Sequence, residues 1–299
     1  MTCTDNKVLV NVAPVAAADK VIIPDKIAED VYECYKAGAA MVHLHVRDRE
    51  GRLTPDMSLL EETLAMIRRD SDIIIEVSTG GVSKLNIQER CAPLYSEMVE
   101  ACSLNVGSTN LGRDVYCNPI GDVEYCIQEI LKQKKTPEVE TFEIGHTWTM
   151  TQLMKKYDFA DPVLFSIVLG HEGEAPATPQ ALAAMIQMIP SNAMWGITQA
   201  HRKDFSLLAG AVGMGARTVR IGFEDSNYLN AQTQVTSNAP LVEKTVKLLR
   251  AMDKEPMLPE EARADFETGE WLFGRGVNDM KGGLAVGMAL MDWYGRLML

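Results

Sequence analysis

Eight short apolar runs, each followed by a stretch with helical spacing, fill most of this 299-residue chain. They cover 8–12, 40–46, 73–77, 103–106, 140–144, 163–169, 193–198 and 218–221. Their spacing leaves room for a crossover helix between successive strands, and such alternation implies a mostly parallel sheet covered by helices. Eight units in about 250 residues point to a closed (β/α)₈ TIM barrel. The rival architecture is an open doubly wound sheet; no GxGxxG loop follows the first run, which weakens its dinucleotide-binding version. Helices are expected over 24–35, 59–67, 87–100, 123–133, 150–157, 178–189 and 241–252, with an interrupted one before Gly213. Pro24 and Pro179 suit first turns, and Gly38 supplies a stop.

The polar residues gather at one end of these runs. His43, His45, His146, His171 and His201 all fall at or just beyond the C-terminal end of a run. In a barrel those ends form the rim that carries active sites. His43 and His45 stand two apart in Val42-His43-Leu44-His45-Val46, which puts both imidazoles on one face of a strand. Strand eight neighbours strand one in a closed barrel, so Glu224 in RIGFED (220–225) lies across strand one from that pair. Two histidines and a glutamate make a catalytic zinc set with open positions, and iron or manganese would accept a similar arrangement. The bland alternatives are satisfied strand-end histidines and a solvated Glu224-Asp225 loop. Arg220 shares strand phase with Glu224; if the chain turns at Glu224, it can pair with Asp225 and orient that carboxylate as a proton acceptor. Ser78-Thr79-Gly80-Gly81 and Gly107-Ser108-Thr109-Asn110 offer hydroxyls and backbone N–H groups to a carboxylate or phosphate, Thr109 among them. Glu143 is placed to orient a neighbour or polarise a bound water.

Composition narrows the partners. A formal net charge of -12 argues against nucleic acid or an anionic membrane surface. No basic-then-apolar leader opens the chain, and no apolar run approaches a spanning helix. The cysteines (Cys3, Cys34, Cys91, Cys102, Cys117, Cys126) lack CxxC spacing, so a reducing cytoplasm is the expected location.

With these residues assembled, the chain resembles the β-keto acid cleavage enzymes, of which the 3-keto-5-aminohexanoate cleavage enzyme is the founding member. HLHVRD (43–48), STGG (78–81), NVGSTN (105–110), FEIGH (142–146) and RIGFED (220–225) carry the likeness, which spans about 7–265. The resemblance implies a TIM barrel holding Zn²⁺ on His43, His45 and Glu224, and exchange of acyl units between a β-keto acid and acetyl-CoA to give acetoacetate and an acyl-CoA. It also implies that Asp225, supported by Arg220, takes a proton from the acetyl methyl group, and that the enolate adds to the polarised ketone before a retro-Claisen step. Ser78 and the Gly81 backbone would meet the substrate carboxylate, and Glu143 matches the family's acidic position on strand five. The founding enzyme grips an ammonium group with a glutamate after strand one; the aligned residue here is Ala18, and only a shift would bring Asp19 into that role. Glu172, Asp19, Trp148 and Trp195 are the other candidates for a cation-friendly pocket.

The division expected is a catalytic barrel over 1–265 and a C-terminal extension over 266–299. The stretch 267–295 resembles a fragment of the M20 zinc peptidases, with Asp279 at a metal-bridging position but no upstream HxD. Packing or oligomer contact through Leu284, Met288 and Met291 is the expectation there, and the expected assembly is a homo-oligomer, a tetramer. The rival functions are an aldolase or hydrolase on the same barrel, an aminopeptidase-like hydrolase, and a non-catalytic metal-stabilised scaffold.

Overall fold

The computed structural model describes residues 6–160 and 162–268. Eight strands lie side by side in chain order, all parallel: β1 (Lys7–Val12), β2 (Met41–Leu44), β3 (Ile74–Val77), β4 (Ala101–Asn105), β5 (Thr136–Thr141), β6 (Leu164–Leu169), β7 (Met194–Gln199) and β8 (Thr218–Ile221). Pairing of β8 with β1, Arg220 opposite Asn11, closes the sheet into the expected barrel. The surrounding helices are α1 (Pro24–Ala37), α2 (Ser58–Asp70), α3 (Ile87–Arg90), α4 (Ile120–Lys132), α5 (Ile144–Leu153), α6 (Pro179–Ile186), α7 (Ser206–Gly213) and α8 (Ala239–Ala251). A ninth helix, α9 (Pro259–Thr268), follows a short strand (Glu255–Pro256) paired with β1.

Strand alternation sorts the interior into layers. Outward positions such as Val10, Val42, Ile75, Val139, Phe165 and Ile197 join the helices in the main apolar core. The inward residues nearest the N-terminal strand ends are Leu9, Met41, Ile74, Ala101, Leu164 and Met194, and they form a separate apolar cluster closed below by Met257 and Ala262. One step up each strand, the series becomes Asn11, His43, Glu76, Ser103, Glu138 and Ser166, all buried. Glu140, Thr198 and Arg220 lie above it, also buried. The barrel is therefore greasy at its base and charged towards its C-terminal rim.

Three local expectations are corrected. The stretch 87–100 is not one helix: α3 lasts a single turn and a 3₁₀ segment (Ala92–Tyr95) follows, because Pro93 has no N–H to continue a ladder. β5 ends at Thr141 instead of running from 140 to 144, and α5 starts at Ile144 rather than 150. Two hairpins at the rim, Thr109–Leu111 with Asp114–Tyr116 and Tyr228–Asn230 with Thr233–Gln234, had no counterpart in the pattern reading. Asp279, Leu284, Met288 and Met291, with the rest of the tail from 269 onward, lie outside the described residues. Among the described residues no helix is long and apolar enough to cross a membrane.

Candidate metal centre and catalytic rim

His43 and His45 do share a face. Their ring centroids are 5.2 Å apart, and Glu224 Oε1 lies 3.3 Å from His45 Nε2 and 3.9 Å from His43 Nε2. One ligand atom from each of the three lies within 4.8 Å of the others. Two imidazole nitrogens and a carboxylate oxygen converging in this way fit a divalent cation such as zinc. The orientation of His43 has a visible cause: its Nδ1 is 2.9 Å from Glu76 Oε2, leaving Nε2 to face Glu224. Asn11 Nδ2 donates to the same Glu76 oxygen at 2.8 Å. A carboxylate behind a ligating histidine fixes its tautomer and raises its basicity.

Glu224 reaches this point because the chain turns sharply after β8. Gly222 has φ of 142°, and a Cβ there would sit 2.2 Å from Ala13 O. Only glycine fits so close to the β1 backbone. The turn is tied by Glu224 N–H to Ala13 O and by Phe223 N–H to Asn238 Oδ1. It also lets adjacent residues serve the same centre. Arg220 donates from Nε and Nη2 to Asp225 Oδ2 and Oδ1 at 3.1 and 2.7 Å, and from Nη2 to Glu224 Oε1 at 3.4 Å. The turn assumed for that pairing is thus present. Burial alone would pull the Arg220 guanidinium down, but Asp225, Glu224 and Glu140 outweigh it and hold the group well above its ordinary value. Burial would likewise raise Glu224, yet His45, Arg220 and His43 hold its carboxyl well below the usual range.

Arg220 has a third carboxylate partner, Glu140, which the sequence reading did not single out. Nη1 donates to Glu140 Oε1 at 2.9 Å. Glu143 is only half-buried and sits just before α5, because β5 ends earlier than expected. Ser78 is buried, exchanges hydrogen bonds with the Gly80 backbone, and lies 3.5 Å from Ser103 Oγ. Gly81 lies beside it against Leu53. Thr109, on the first rim hairpin, meets the side chain of Glu174. Both Glu174 oxygens are buried without a geometric hydrogen-bond partner. Burial first, then the charges of Glu143 and Glu140, push that carboxyl up to about 8.

All five histidines stand at the C-terminal side of the barrel, His146 in the first turn of α5. His171 and His201 have ring centroids 5.9 Å apart there, whereas His146 is buried in α5 with its ring filling the space a Cβ at Gly107 would need. The proposed cation pocket does not assemble. Trp195 faces outward into the helix-lined core, Trp148 is 57% exposed, and the exposed Asp19 accepts from Ala16 N–H in its own loop. Ala18 is exposed as well. The residues missed by the pattern reading were Asn11, Glu76, Glu138 and Glu140. Each is a polar residue on the inward phase of a strand, and a lone carboxylate inside Ile73-Ile74-Ile75-Glu76-Val77 was the available signal.

A closed barrel with two strand-end histidines and a glutamate just after strand eight on one rim has the form of a barrel enzyme with a candidate metal site. Comparison with known proteins gives the family: the chain belongs to the β-keto acid cleavage enzymes, whose family model matches residues 15–267. It is 32% identical over 243 residues to the 3-keto-5-aminohexanoate cleavage enzyme of Fusobacterium nucleatum, covering 80% of this chain and 87% of that one. Over 265 residues it is 31% identical to the 3-dehydrocarnitine:acetyl-CoA trimethylamine transferase of Rhizobium meliloti, covering 81% and 88%. Among solved structures, ObcA in a ternary complex with a C4-CoA adduct and oxalate superposes with a TM-score of 0.70 at 18% identity, covering 82% of this chain and 67% of that chain, which speaks for the fold.

Proposed function

We propose that this chain exchanges acyl units between a β-keto acid and acetyl-CoA, releasing acetoacetate and the CoA ester of the shortened acid, with Zn²⁺ held by His43, His45 and Glu224. The observation that carries the reading is the Arg220 fork, which grips Asp225 and Glu224 at once, with Glu224 beside the two histidines. A divalent ion at that set would supply Lewis-acid stabilisation to negative charge developing on a substrate oxygen.

Atom balance revises the proton source expected from the resemblance. The methyl group of acetoacetate is the acetyl methyl, unchanged, and its methylene and carboxylate come from the β-keto acid. The carbon that must lose a proton is therefore C2 of the β-keto acid. Asp225 takes that proton, and the C2 carbanion equivalent attacks the acetyl thioester and expels CoA thiolate. The thiolate then adds to the original ketone, the C2–C3 bond breaks, and Asp225 returns the proton to C2 of the departing acetoacetate. Arg220 keeps Asp225 aimed while Glu140 holds the far side of the guanidinium. The reading assigns the Ser78 hydroxyl, the Gly81 backbone and Thr109 to the substrate carboxylate, in an enzyme envisaged as a cytoplasmic tetramer.

The test is turnover in deuterated solvent with acetyl-CoA labelled in its methyl group. The label should reach the terminal methyl of acetoacetate without taking up deuterium, and consumption of β-keto acid should require acetyl-CoA. Asp225→Asn should keep its metal and lose enzyme-accelerated exchange at C2 of the β-keto acid, with a fall in kcat of about 100-fold or more. Deuterium entering the acetyl methyl, or unchanged C2 exchange in the variant, contradicts the assignment.

A further inference from the structure

The bend that carries Glu224 and Asp225 has its backbone N–H groups, from Phe223 to Ser226, all paired. Those of Glu224, Asp225 and Ser226 go to backbone carbonyls, at Ala13 O (3.1 Å) and Gly222 O (3.1 and 2.8 Å). The Phe223 N–H goes to a side chain, Asn238 Oδ1 at 2.9 Å. It is therefore the tie in this stretch that a single substitution can remove without altering the bend itself.

Asn238 is 0% exposed and stands at the N-cap of α8. An asparagine there ordinarily gives its oxygen to an N–H of the first helical turn. Here its side chain makes no such bond. The oxygen serves Phe223 instead, and Nδ2 donates to Pro14 O at 3.0 Å and to Asp30 Oδ2 at 2.5 Å. Asp30, on α1, turns its other oxygen to the Asn238 backbone N–H at 3.0 Å. These partners fix which way the amide faces. Turned over, its nitrogen would meet the Phe223 N–H, and its oxygen would meet Pro14 O and Asp30 Oδ2.

Pro14 follows Ala13, whose carbonyl crowds Gly222 and accepts from the Glu224 N–H. One buried amide thus grips both chains at their close approach, the exit from β1 through its nitrogen and the bend after β8 through its oxygen. We infer that Asn238 is a positioning residue for the candidate metal centre, an amide staple between the β1 exit and the bend that sets where Glu224 stands relative to His43 and His45. Asp30 buttresses the staple from α1. Without the amide, the Phe223 N–H and the buried Pro14 carbonyl lose their partners, and the bend relaxes away from the position that puts Glu224 Oε1 3.3 Å from His45 Nε2. The inference rests on the metal reading of His43, His45 and Glu224, and is independent of the particular reaction.

Asn238→Ala, Asp30→Ala and Leu249→Ala, each in the full chain, separate positioning from packing. Leu249 is fully buried on the same helix and takes no part in the staple, so its loss destabilises α8 alone. All three should lower the midpoint of chemical denaturation. In a zinc-competition titration against a chelator, Asn238→Ala should bind about 10-fold more weakly. Asp30→Ala, which keeps the Phe223 and Pro14 bonds, should lose less, and Leu249→Ala should match the parent. With Co²⁺ in place of zinc, the visible ligand-field bands should shift in Asn238→Ala and hold in Leu249→Ala. A folded Asn238→Ala with parental zinc affinity and parental bands overturns the proposal, and so does a Leu249→Ala that weakens zinc equally. Should Asn238→Ala fail to fold, Asp30→Ala carries the test, and parental affinity with parental bands there overturns it. A parent that takes up neither metal removes the metal reading and this inference with it, whereas a parent that binds no better than Asn238→Ala removes the inference alone.

Discussion

The same eight strands build two unlike interiors. At the base, Leu9, Met41, Ile74, Leu164 and Met194 meet Met257 and Ala262 in an apolar cluster. Nearer the rim, Asn11, His43 and Glu76, two residues further along their strands, are buried together with Glu138, Glu140 and Arg220. The lower layer gains from removing apolar surface from water. The upper layer gives up hydration of several charges and recovers it only through mutual pairing. The base accounts for the barrel staying closed, and the charged layer for what a closed barrel can present at its rim. Stability and chemistry are thereby separated by about 7 Å of strand, two residues at the rise of an extended chain.

Perturbations of each layer should differ in kind. The largest effect is expected from Arg220→Met, which strands Asp225, Glu224 and Glu140 without their shared cation. Loss of one partner from a buried ion network costs about 3–5 kcal/mol, so chemical denaturation should show a markedly lowered midpoint together with abolished turnover. Leu164→Ala in the base should cost about 2–5 kcal/mol by the same measurement, while kcat of the folded fraction stays close to the parent value. Were Leu164→Ala to alter kcat as deeply as Arg220→Met, the separation of layers would fail. The smallest and most diagnostic effect belongs to Glu174. Its carboxyl is raised to about 8, so the folded protein holds a proton there that the unfolded chain releases near the ordinary carboxylate value. Stability from this group is fully present below the unfolded pKa and declines as pH rises towards about 8. Glu174→Gln should remove that decline, seen as a shallower fall of denaturation midpoint between pH 5 and 8; an unchanged slope would count against a buried neutral carboxyl.

How far this contrast was legible follows from the strands themselves. β2, β3 and β6 are uninterrupted apolar runs apart from their inward polar residues, so both their position and the His43/His45 phase could be read directly. β5 reads Thr-Pro-Glu-Val-Glu-Thr and has one large apolar residue, Val139. Its place is set by neighbours, Ser103 and Leu164 both opposite Glu138, rather than by its own pattern. With so little apolar pattern in β5, the sequence does not distinguish Glu140, inside the strand, from Glu143, beyond its end. The Arg220–Asp225 pair needed a turn that strand periodicity does not describe, and the motif RIGFED supplied it through one glycine.

That glycine has a consequence for descent. Glu224 and Asp225 hang from one bend whose position is dictated by the contact between Gly222 and Ala13. Any drift in the bend would displace the candidate ion ligand and the proposed proton acceptor together, so neither can be retuned alone. Novelty in substrate choice has to arise elsewhere on the barrel mouth, in the stretch around Ala16–Asp19 and the hairpin at Thr109–Tyr116, where exposed residues can change without disturbing that shared hinge.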